Sequence, residues 1–305
     1  MTSTESVDVH EFSFSTLPDT GFYEVLGKRG TGKTTWTKYI LQFSKYESSG
    51  MYVVMCGSET IKESWQDVIH PMYIQDASIQ YLEKLRDDRN AVVRRRKKKK
   101  DLLDSEHVTL ILDDVASNKK IMRSSVLAYL ACNSRHLHMS IFILAQYHCQ
   151  IPPEVRNQND YIFMLATSDR KSIKRIYEEY ASCSNERIFR ALLTFCTSDH
   201  GLFVINNQTS GNNLIDICST SKISNFEELT FVKLGSSELW EFADAMYIDV
   251  DTVIPSAEDA QEWVDQNVNS GDDIHSPTRT DLTNRMRNSR KIFSDRYGKI
   301  IIRKV

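Results

Sequence analysis

The sequence predicts an α/β fold in which a mainly parallel sheet is covered by helices on both faces. Three observations lead to this prediction: wholly apolar runs of strand length alternate with helical segments, a glycine-rich loop joins one run to a helix, and another run ends in two aspartates. Strands that are apolar along their whole length are buried on both faces, which is typical of parallel sheets. The chain has 305 residues, enough for one large α/β domain and an appendage.

The predicted elements of the first half begin with a strand, a loop and a helix. FYEVLG, residues 22–27, is the first strand, and the helix TTWTKYILQFSKY follows the loop with apolar residues at helical spacing. MYVVMCG, residues 51–57, is predicted to be a second buried strand. Residues 60–105 are polar and predicted to be helical. HVTLILDD, residues 107–114, is a continuous apolar run closed by two aspartates.

The second half continues the alternation of strands and helices. In chain order the predicted elements are an amphipathic helix KKIMRSSVLAYLACNSRHLH, a buried strand MSIFILAQ (139–146), a loop QIPPEVRNQND, a strand DYIFMLA (160–166), helices SDRKSIKRIYEEYA and SNERIFRALLTFC, and a strand HGLFVINN (200–207). Composition changes after this series. Residues 249–273 hold eight acids and no Lys or Arg, whereas residues 274–305 hold nine Lys or Arg and two acids. We expect a domain at 1–248, with its core at about 20–207, and a charged tail at 249–305 that is partly disordered or ordered by neighbours.

Charge and composition exclude several classes of protein. The net charge of -3 excludes a chain that is basic throughout, so any nucleic-acid contact must come from local charge such as the run RRRKKKK at 94–100. A solvated helix face and a nuclear-localisation patch remain alternatives for this run. No run of 18 apolar residues occurs, so we expect no stable membrane insertion, and the N-terminus does not resemble a signal peptide. These features predict a soluble intracellular protein.

The six cysteines include no C-x-x-C pair, and in an intracellular chain they are expected to be reduced. One set of side chains has the chemistry of metal ligands: Cys132, His136, His138, His148 and Cys149. Its spacings fit no common zinc pattern, and its members straddle a predicted buried strand. A zinc site is therefore not favoured.

The segment GKRGTGKTTW, residues 27–36, fits the phosphate-binding pattern G-x-x-x-x-G-K-[ST]. Small residues let backbone N–H groups converge on phosphate oxygens, and the N-terminus of the following helix adds a favourable dipole. Lys33 would reach the β- and γ-phosphates of ATP, and the Thr34 hydroxyl would ligate Mg²⁺. Because a strand and a helix flank the loop, nucleotide binding is favoured over an ordinary glycine-rich turn. The predicted nucleotide-binding residues are Gly27, Lys28, Arg29, Gly30, Thr31, Gly32, Lys33, Thr34 and Thr35.

Two of the later apolar strands end in polar side chains that could take part in hydrolysis of a nucleotide. Asp113 ends a buried strand downstream of the P-loop, which is the Walker B arrangement, and would hold the Mg²⁺ shell. Asp114 could polarise an attacking water, as a hydrolase requires, although both aspartates could instead cap a strand end. Gln146 ends the strand that follows and could position water and report loss of phosphate. The alternative for Gln146 is an exposed amide.

Two arginines are candidates for a finger that completes the site of a neighbouring subunit. Arg135 ends the helix before the glutamine strand, and Arg156 lies in the proline-containing loop after it. We expect both to point outward at a subunit edge, with Arg135 the first candidate and Arg156 the second. A solvated surface arginine is the alternative in each case.

Together these pieces resemble one family. GKRGTGKTT, ILDDV, the helix ending in NSRHLHMS, the strand IFILAQ and the following IPPEVRNQND are similar to the genome-packaging ATPases of large nucleocytoplasmic DNA viruses. Those are the poxvirus-type members of the FtsK–HerA superfamily. The resemblance covers about residues 20–207, and its specific part is the order of elements and the strand-end glutamine followed by a proline and an arginine. Asp114 stands where many members of the superfamily have glutamate.

The resemblance implies a RecA-like additional-strand ATPase, in which the strand ending at Gln146 lies between the P-loop strand and the Walker B strand. It implies a motor domain that works as a homo-oligomeric ring, a pentamer or hexamer, and moves double-stranded DNA into a preformed capsid. The implied partners are the DNA and capsid vertex or portal proteins, in the host cytoplasm at the assembly site, with the virion and the host nucleus as alternatives. A nucleotide-gated DNA or capsid assembly factor with little hydrolysis, and a nucleoside or nucleotide kinase, remain competing hypotheses.

Overall fold

A computed structural model describes residues 9–97, 106–183, 185–211, 213–223 and 228–246 of the chain. In this part the backbone forms a nine-stranded sheet with an apolar core on each face. The predicted α/β fold class is confirmed. The predicted tail at 249–305 lies outside the described residues.

Eight of the nine strands run in the same direction, because in the described part only β8 pairs antiparallel with its neighbours. The spatial order is β1-β9-β8-β7-β2-β6-β5-β3-β4. The strands are β1 His10–Glu11, β2 Phe22–Leu26, β3 Met51–Cys56, β4 Ile74–Asp76, β5 Val108–Asp113, β6 Met139–Ala145, β7 Tyr161–Met164, β8 Leu202–Asn206 and β9 Cys218–Ser221.

Helices connect the strands and cover both faces. They are α1 Lys33–Leu41, α2 Glu59–Trp65, α3 Ile79–Lys97, α4 Lys119–Met122, α5 Ser125–Asn133, α6 Pro153–Arg156, α7 Arg170–Tyr180, α8 Glu186–Cys196, α9 Leu214–Ile217 and α10 Ser237–Met246. Helices α1 and α2 contribute to the core on one face, and α5, α7 and α8 contribute to the core on the other. In the described part, none of these helices is both long and apolar enough to cross a membrane.

Strand β6 is inserted between β2 and β5, which is the additional-strand arrangement. The register aligns the carboxyl ends of all three: Leu26 pairs with Ala145, and Leu144 pairs with Asp113. Because parallel strands end at one edge of their sheet, the residues that follow β2, β5 and β6 are neighbours in space. This carboxyl edge is where open α/β sheets bind ligands.

The structure corrects several predicted elements. The segment 60–105 is not uniformly helical, since it contains the three-residue strand β4 at the sheet edge. The single helix predicted for KKIMRSSVLAYLACNSRHLH is two helices, because the Ser124 hydroxyl caps a new helix by accepting a hydrogen bond from the N–H of Leu127 at 3.3 Å. Strands β1 and β9 were not predicted, because β1 has two residues and the sequence of β9 is CSTS.

Candidate nucleotide site at the carboxyl edge of the sheet

The glycine-rich loop leaves β2 at the carboxyl edge and turns into α1. Gly30 and Gly32 adopt positive φ angles of 77° and 90°, a region that side chains with a Cβ rarely occupy. Gly32 is the residue that caps the N-terminus of α1, so the free N–H groups of the first helical turn point into the loop. This is the geometry that binds phosphate by backbone donors and helix dipole.

Lys33 extends back over the loop. Its ammonium group donates hydrogen bonds to the carbonyl oxygens of Gly27 at 3.0 Å and Lys28 at 3.1 Å. Burial lowers the pKa of Lys33, and the negative charges of Asp113 and Asp114 oppose that shift. The charge of Lys33 therefore interacts with both aspartates while its ammonium group is held by carbonyls of the loop.

Asp113 ends β5 with a buried carboxylate that two donors hold in place. The Thr34 hydroxyl donates to Oδ2 at 2.8 Å, and the Trp65 indole N–H donates to the same oxygen at 3.0 Å. Burial raises the pKa of Asp113, opposed by these two hydrogen bonds and by the charge of Lys33. A hydroxyl and a carboxylate in contact beside a phosphate loop are the oxygen ligands that Mg²⁺ prefers, so Thr34 and Asp113 fit that ion.

Trp65 is a site residue that the sequence analysis missed. It is the last residue of α2 and is fully buried, and its ring faces the ammonium of Lys38 on α1 at 5.7 Å. Trp65 thus connects α1, the helix that follows the glycine-rich loop, to the carboxylate of Asp113. A lone tryptophan in an otherwise polar helical segment was the available signal.

Asp114 and Gln146 are the first residues beyond β5 and β6. Asp114 is exposed and has a φ of 57°, a left-handed conformation that non-glycine residues adopt mainly where the surroundings impose it. Gln146 is half-buried, and its backbone N–H donates to Oε1 of Gln150 at 3.0 Å. The strand register brings both residues to the edge that carries Lys33, Thr34 and Asp113.

Arg135 lies at the opposite, amino edge of the sheet. It follows α5 and precedes β6, and its guanidinium pairs with Asp160, the residue before β7. The Asp160 carboxylate also accepts the N–H of Phe22, the first residue of β2, at 2.8 Å. The Arg135 side chain is 61% exposed, so a neighbouring molecule could contact it.

The expectation that Arg156 points outward is wrong. Arg156 ends the short helix α6, and its side chain is buried. The guanidinium donates to Oε1 of Glu179 at 2.7 Å and to the carbonyl of Ile151 at 3.1 Å. Buried arginines need such partners, and a proline-containing loop gives no indication that one is close.

The remaining sequence candidates do not join the nucleotide site. Residues 132–138 of the zinc hypothesis precede β6 and residues 148–149 follow it, so the set is divided between the two edges. The described part of the basic run lies at the amino edge, because Arg96 pairs with Glu106 just before β5 at 2.5 Å. Arg94 and Arg95 are exposed there, and residues 98–100 lie outside the described residues.

A family model described as "Poxvirus A32 protein" matches residues 9–228 of the chain. The chain is 29% identical over 189 residues to the uncharacterized protein 075L of Invertebrate iridescent virus 6, covering 62% of this chain and 71% of that protein. It is 25% identical over 196 residues to the uncharacterized protein 088R of Invertebrate iridescent virus 3, covering 63% and 71%. Among solved structures, that of the genome packaging NTPase B204 from Sulfolobus turreted icosahedral virus 2 in complex with ATP-gammaS is 15% identical, with a TM-score of 0.46 and coverage of 68% and 98%.

Proposed function

The chain belongs to the poxvirus A32 protein family, and from this premise we propose that it is an ATP-hydrolysing motor that packages viral double-stranded DNA into a preformed capsid. One observation carries the proposal: three adjacent strands, in the order β2-β6-β5, end at one edge with a phosphate loop, a strand-end glutamine and two aspartates. This set of residues suits hydrolysis better than phosphate binding alone. It offers a lysine for the phosphate charge, an aspartate for the metal, an aspartate for the proton and a glutamine for the attacking water.

In the proposed reaction the loop and the N-terminus of α1 bind the phosphates of ATP, and Lys33 offsets the charge that builds on the β- and γ-oxygens. Mg²⁺, held by Thr34 and Asp113, would supply further neutralisation of the phosphate oxygens. Water attacks the γ-phosphorus, the bond from that phosphorus to the β–γ bridging oxygen breaks, and Asp114 accepts the proton of the water. Gln146 orients this water. The products are ADP and phosphate.

We propose that the duplex is contacted by cations on the same edge as this chemistry. Lys119, Lys120 and Arg123 are exposed in and after α4, five to nine residues beyond Asp114. Contacts of this kind bind the phosphate backbone without reading sequence, and several subunits in a ring would multiply them. The exposed Arg94 and Arg95 form a second candidate surface at the amino edge.

We further propose that five or six copies form a closed ring. The partners of this ring are capsid vertex or portal proteins, and it acts at the cytoplasmic assembly site. In such a ring, Arg135 of one copy acts on the ATP of the next. Mixing the inactive variants Arg135→Ala and Lys33→Ala would restore hydrolysis at interfaces that pair an intact loop with an intact arginine. Absence of rescue in verified mixed assemblies would remove Arg135 from this role.

The proposal is tested by the ATP hydrolysis rate of the full chain with and without long duplex DNA. We expect stimulation by duplex DNA, lost in Lys33→Ala and lowered when Lys119, Lys120 and Arg123 are changed to glutamate. The control for reversing an exposed lysine is Lys84→Glu on α3, which is not among the proposed DNA contacts. Nucleotide binding without hydrolysis would favour an assembly factor, and phosphate transfer to a small acceptor would favour a kinase. Either result would overturn the motor.

A further inference from the structure

The P-loop strand contains a carboxylate where a central strand normally has an apolar side chain. Glu24 is the third of the five residues of β2, between β6 and β7, and is completely buried. Removing a charged group from water is costly unless partners compensate for the lost hydration. The partners of Glu24 therefore indicate which parts of the chain the P-loop strand depends on.

The main partner is His148, which is also completely buried. Its Nδ1 lies 2.8 Å from Oε1 and 3.0 Å from Oε2 of Glu24, across 124 residues of sequence. The amide of Asn159 donates to Oε2 of the same carboxylate at 2.6 Å. Glu24 is thus held by residues from the segment after β6 and the segment before β7.

The second nitrogen of His148 reaches a surface helix. Its Nε2 lies 2.9 Å from Oε2 of Glu179, near the end of α7. Glu179 also accepts two hydrogen bonds from the buried guanidinium of Arg156. The imidazole therefore bridges the carboxylate of Glu24 on the P-loop strand and that of Glu179 on α7. Hydrogen bonds from Arg156 hold the Glu179 carboxylate in place.

His148 belongs to the same short segment as Gln146. Residues His148–Gln150 form a single turn of 3-10 helix, and the Gln150 side chain accepts the backbone N–H groups of Gln146 and Tyr147, each at 3.0 Å. These bonds close residues 146–150 into one unit. A shift of the Gln146 backbone would either break these bonds or move the turn that contains His148.

We propose that His148 is a positioning residue that couples Gln146, at the nucleotide, to helix α7. The inference rests on the proposed function, because it assumes that Gln146 faces the γ-phosphate of bound ATP. Helix α7 exposes cations on its outer face, including Lys171 and Lys174, so movement of α7 would alter a charged surface of the molecule. His148 neither touches nucleotide nor takes part in hydrolysis in this proposal.

Hydrogen exchange of the full chain, with and without ATPγS and Mg²⁺, tests this coupling. In the wild-type protein we expect nucleotide to slow exchange in the P-loop and also in α7, Arg170–Tyr180. In His148→Gln, nucleotide should still bind and protect the P-loop, while the nucleotide-dependent protection of α7 is lost. Glutamine is neutral, and its N–H donors share one amide nitrogen, so it cannot replace two ring nitrogens that contact two different carboxylates. Glu179→Ala keeps the bond between His148 and Glu24 but removes the acceptor for Nε2. It should lose the same response, and it serves if His148→Gln does not fold.

The matched control is His70→Gln. His70 is likewise buried, and it pairs with an aspartate, Asp244, at 3.0 Å. It lies beside β4, which is the outermost strand on the side of the sheet away from β7. We expect α7 to respond normally to nucleotide in that variant. An unchanged α7 response in both network variants, no α7 response in the wild type, or its loss in His70→Gln would overturn the coupling. Absence of nucleotide binding in the wild type would instead overturn the proposed function, and the inference with it.

Discussion

Asp113 and Asp114 are adjacent in sequence but have opposite surroundings. Asp113 is buried against Thr34 and Trp65, whereas Asp114 is exposed in a left-handed conformation beyond the strand. We predict that Asp114→Asn leaves ATP affinity nearly unchanged and lowers turnover by at least about a hundredfold, because the amide cannot accept the proton of water. Asp113→Asn should weaken the Mg²⁺-dependent part of nucleotide binding. Affinity and turnover of both variants check this, and equal binding defects would contradict the division of roles.

The buried histidine gives a prediction about pH. Burial lowers the pKa of His148, but the carboxylates of Glu24 and Glu179 outweigh burial, so its pKa is raised above the ordinary 6.5. The stability that its charge contributes is therefore complete below the unfolded pKa and is lost as pH rises through the higher folded pKa. The other groups facing it are the Tyr180 ring and, through Glu179, Arg156. Partial desolvation raises the pKa of Glu179, but hydrogen bonds from His148 and Arg156 outweigh it and lower that pKa, so Glu179 titrates only in more acidic solution.

We predict that His148→Gln lowers the free energy of unfolding by about 3 kcal/mol at mildly acidic pH and by less in alkaline solution. Denaturant unfolding of both proteins across this range measures the difference, with His70→Gln as the control. A difference that grows as pH rises would contradict a charged His148 between two carboxylates.

Single residues were predictable where a motif fixes their place relative to a strand. Lys33, Thr34, Asp113, Asp114 and Gln146 follow from fixed spacing at the ends of apolar runs. Trp65, Glu24 and His148 were not predictable in this way, because each acts through a partner 48 or 124 residues distant. The glutamate within FYEVL was a signal that a buried charge needed a partner, but the sequence alone does not identify that partner.

Helix α2 illustrates how an element outside the motifs supports the site. Its last residue, Trp65, donates the second hydrogen bond to Asp113, and its ring lies against the ammonium group of Lys38 on α1. We predict that Trp65→Phe raises the Mg²⁺ concentration for half-maximal hydrolysis by about tenfold, since one hydrogen bond to a charged group contributes about 1.5 kcal/mol. Turnover at saturating Mg²⁺ should change little.

The control for that variant is Trp240→Phe, which removes an indole N–H bonded at 2.8 Å to the carbonyl of Leu234, away from the P-loop. Mg²⁺ titrations of hydrolysis compare the two variants, and intrinsic fluorescence of Trp240→Phe reports whether nucleotide changes the remaining tryptophans. An unchanged Mg²⁺ dependence in Trp65→Phe would contradict the positioning of Asp113 by α2.

Elements with long apolar runs were predicted well, and short or polar elements were not. Strands β2, β5 and β6 are apolar enough to be recognised, whereas β4 and β9 are stabilised by pairing at the sides of the sheet. The direction of a strand could not be predicted from the sequence either: β8 is as apolar as β7, yet the two strands pair antiparallel. An apolar run reports burial on both faces but not orientation.

At the scale of the whole molecule, the two edges of the sheet have different contents. The carboxyl edge carries the phosphate loop, the aspartates and Gln146, and α4 with its exposed lysines begins five residues beyond Asp114. The amino edge carries Arg135 and the described part of the basic run, which the sequence could not assign to an edge. In the proposed ring, hydrolysis and DNA contact share the carboxyl edge, and Arg135 must reach a neighbour from the other.

In the proposed motor, hydrolysis at this site drives movement along duplex DNA. A protein that moves in this way displaces a third strand bound to the duplex. The full chain is mixed with a long duplex carrying a triplex-forming oligonucleotide, and release of that oligonucleotide is followed over time. We predict release that requires ATP and hydrolysis: wild type displaces the strand, while Lys33→Ala and Asp114→Asn do not, although Asp114→Asn binds ATP. Rapid DNA-stimulated hydrolysis without displacement, or equal displacement by Asp114→Asn, would contradict the claim.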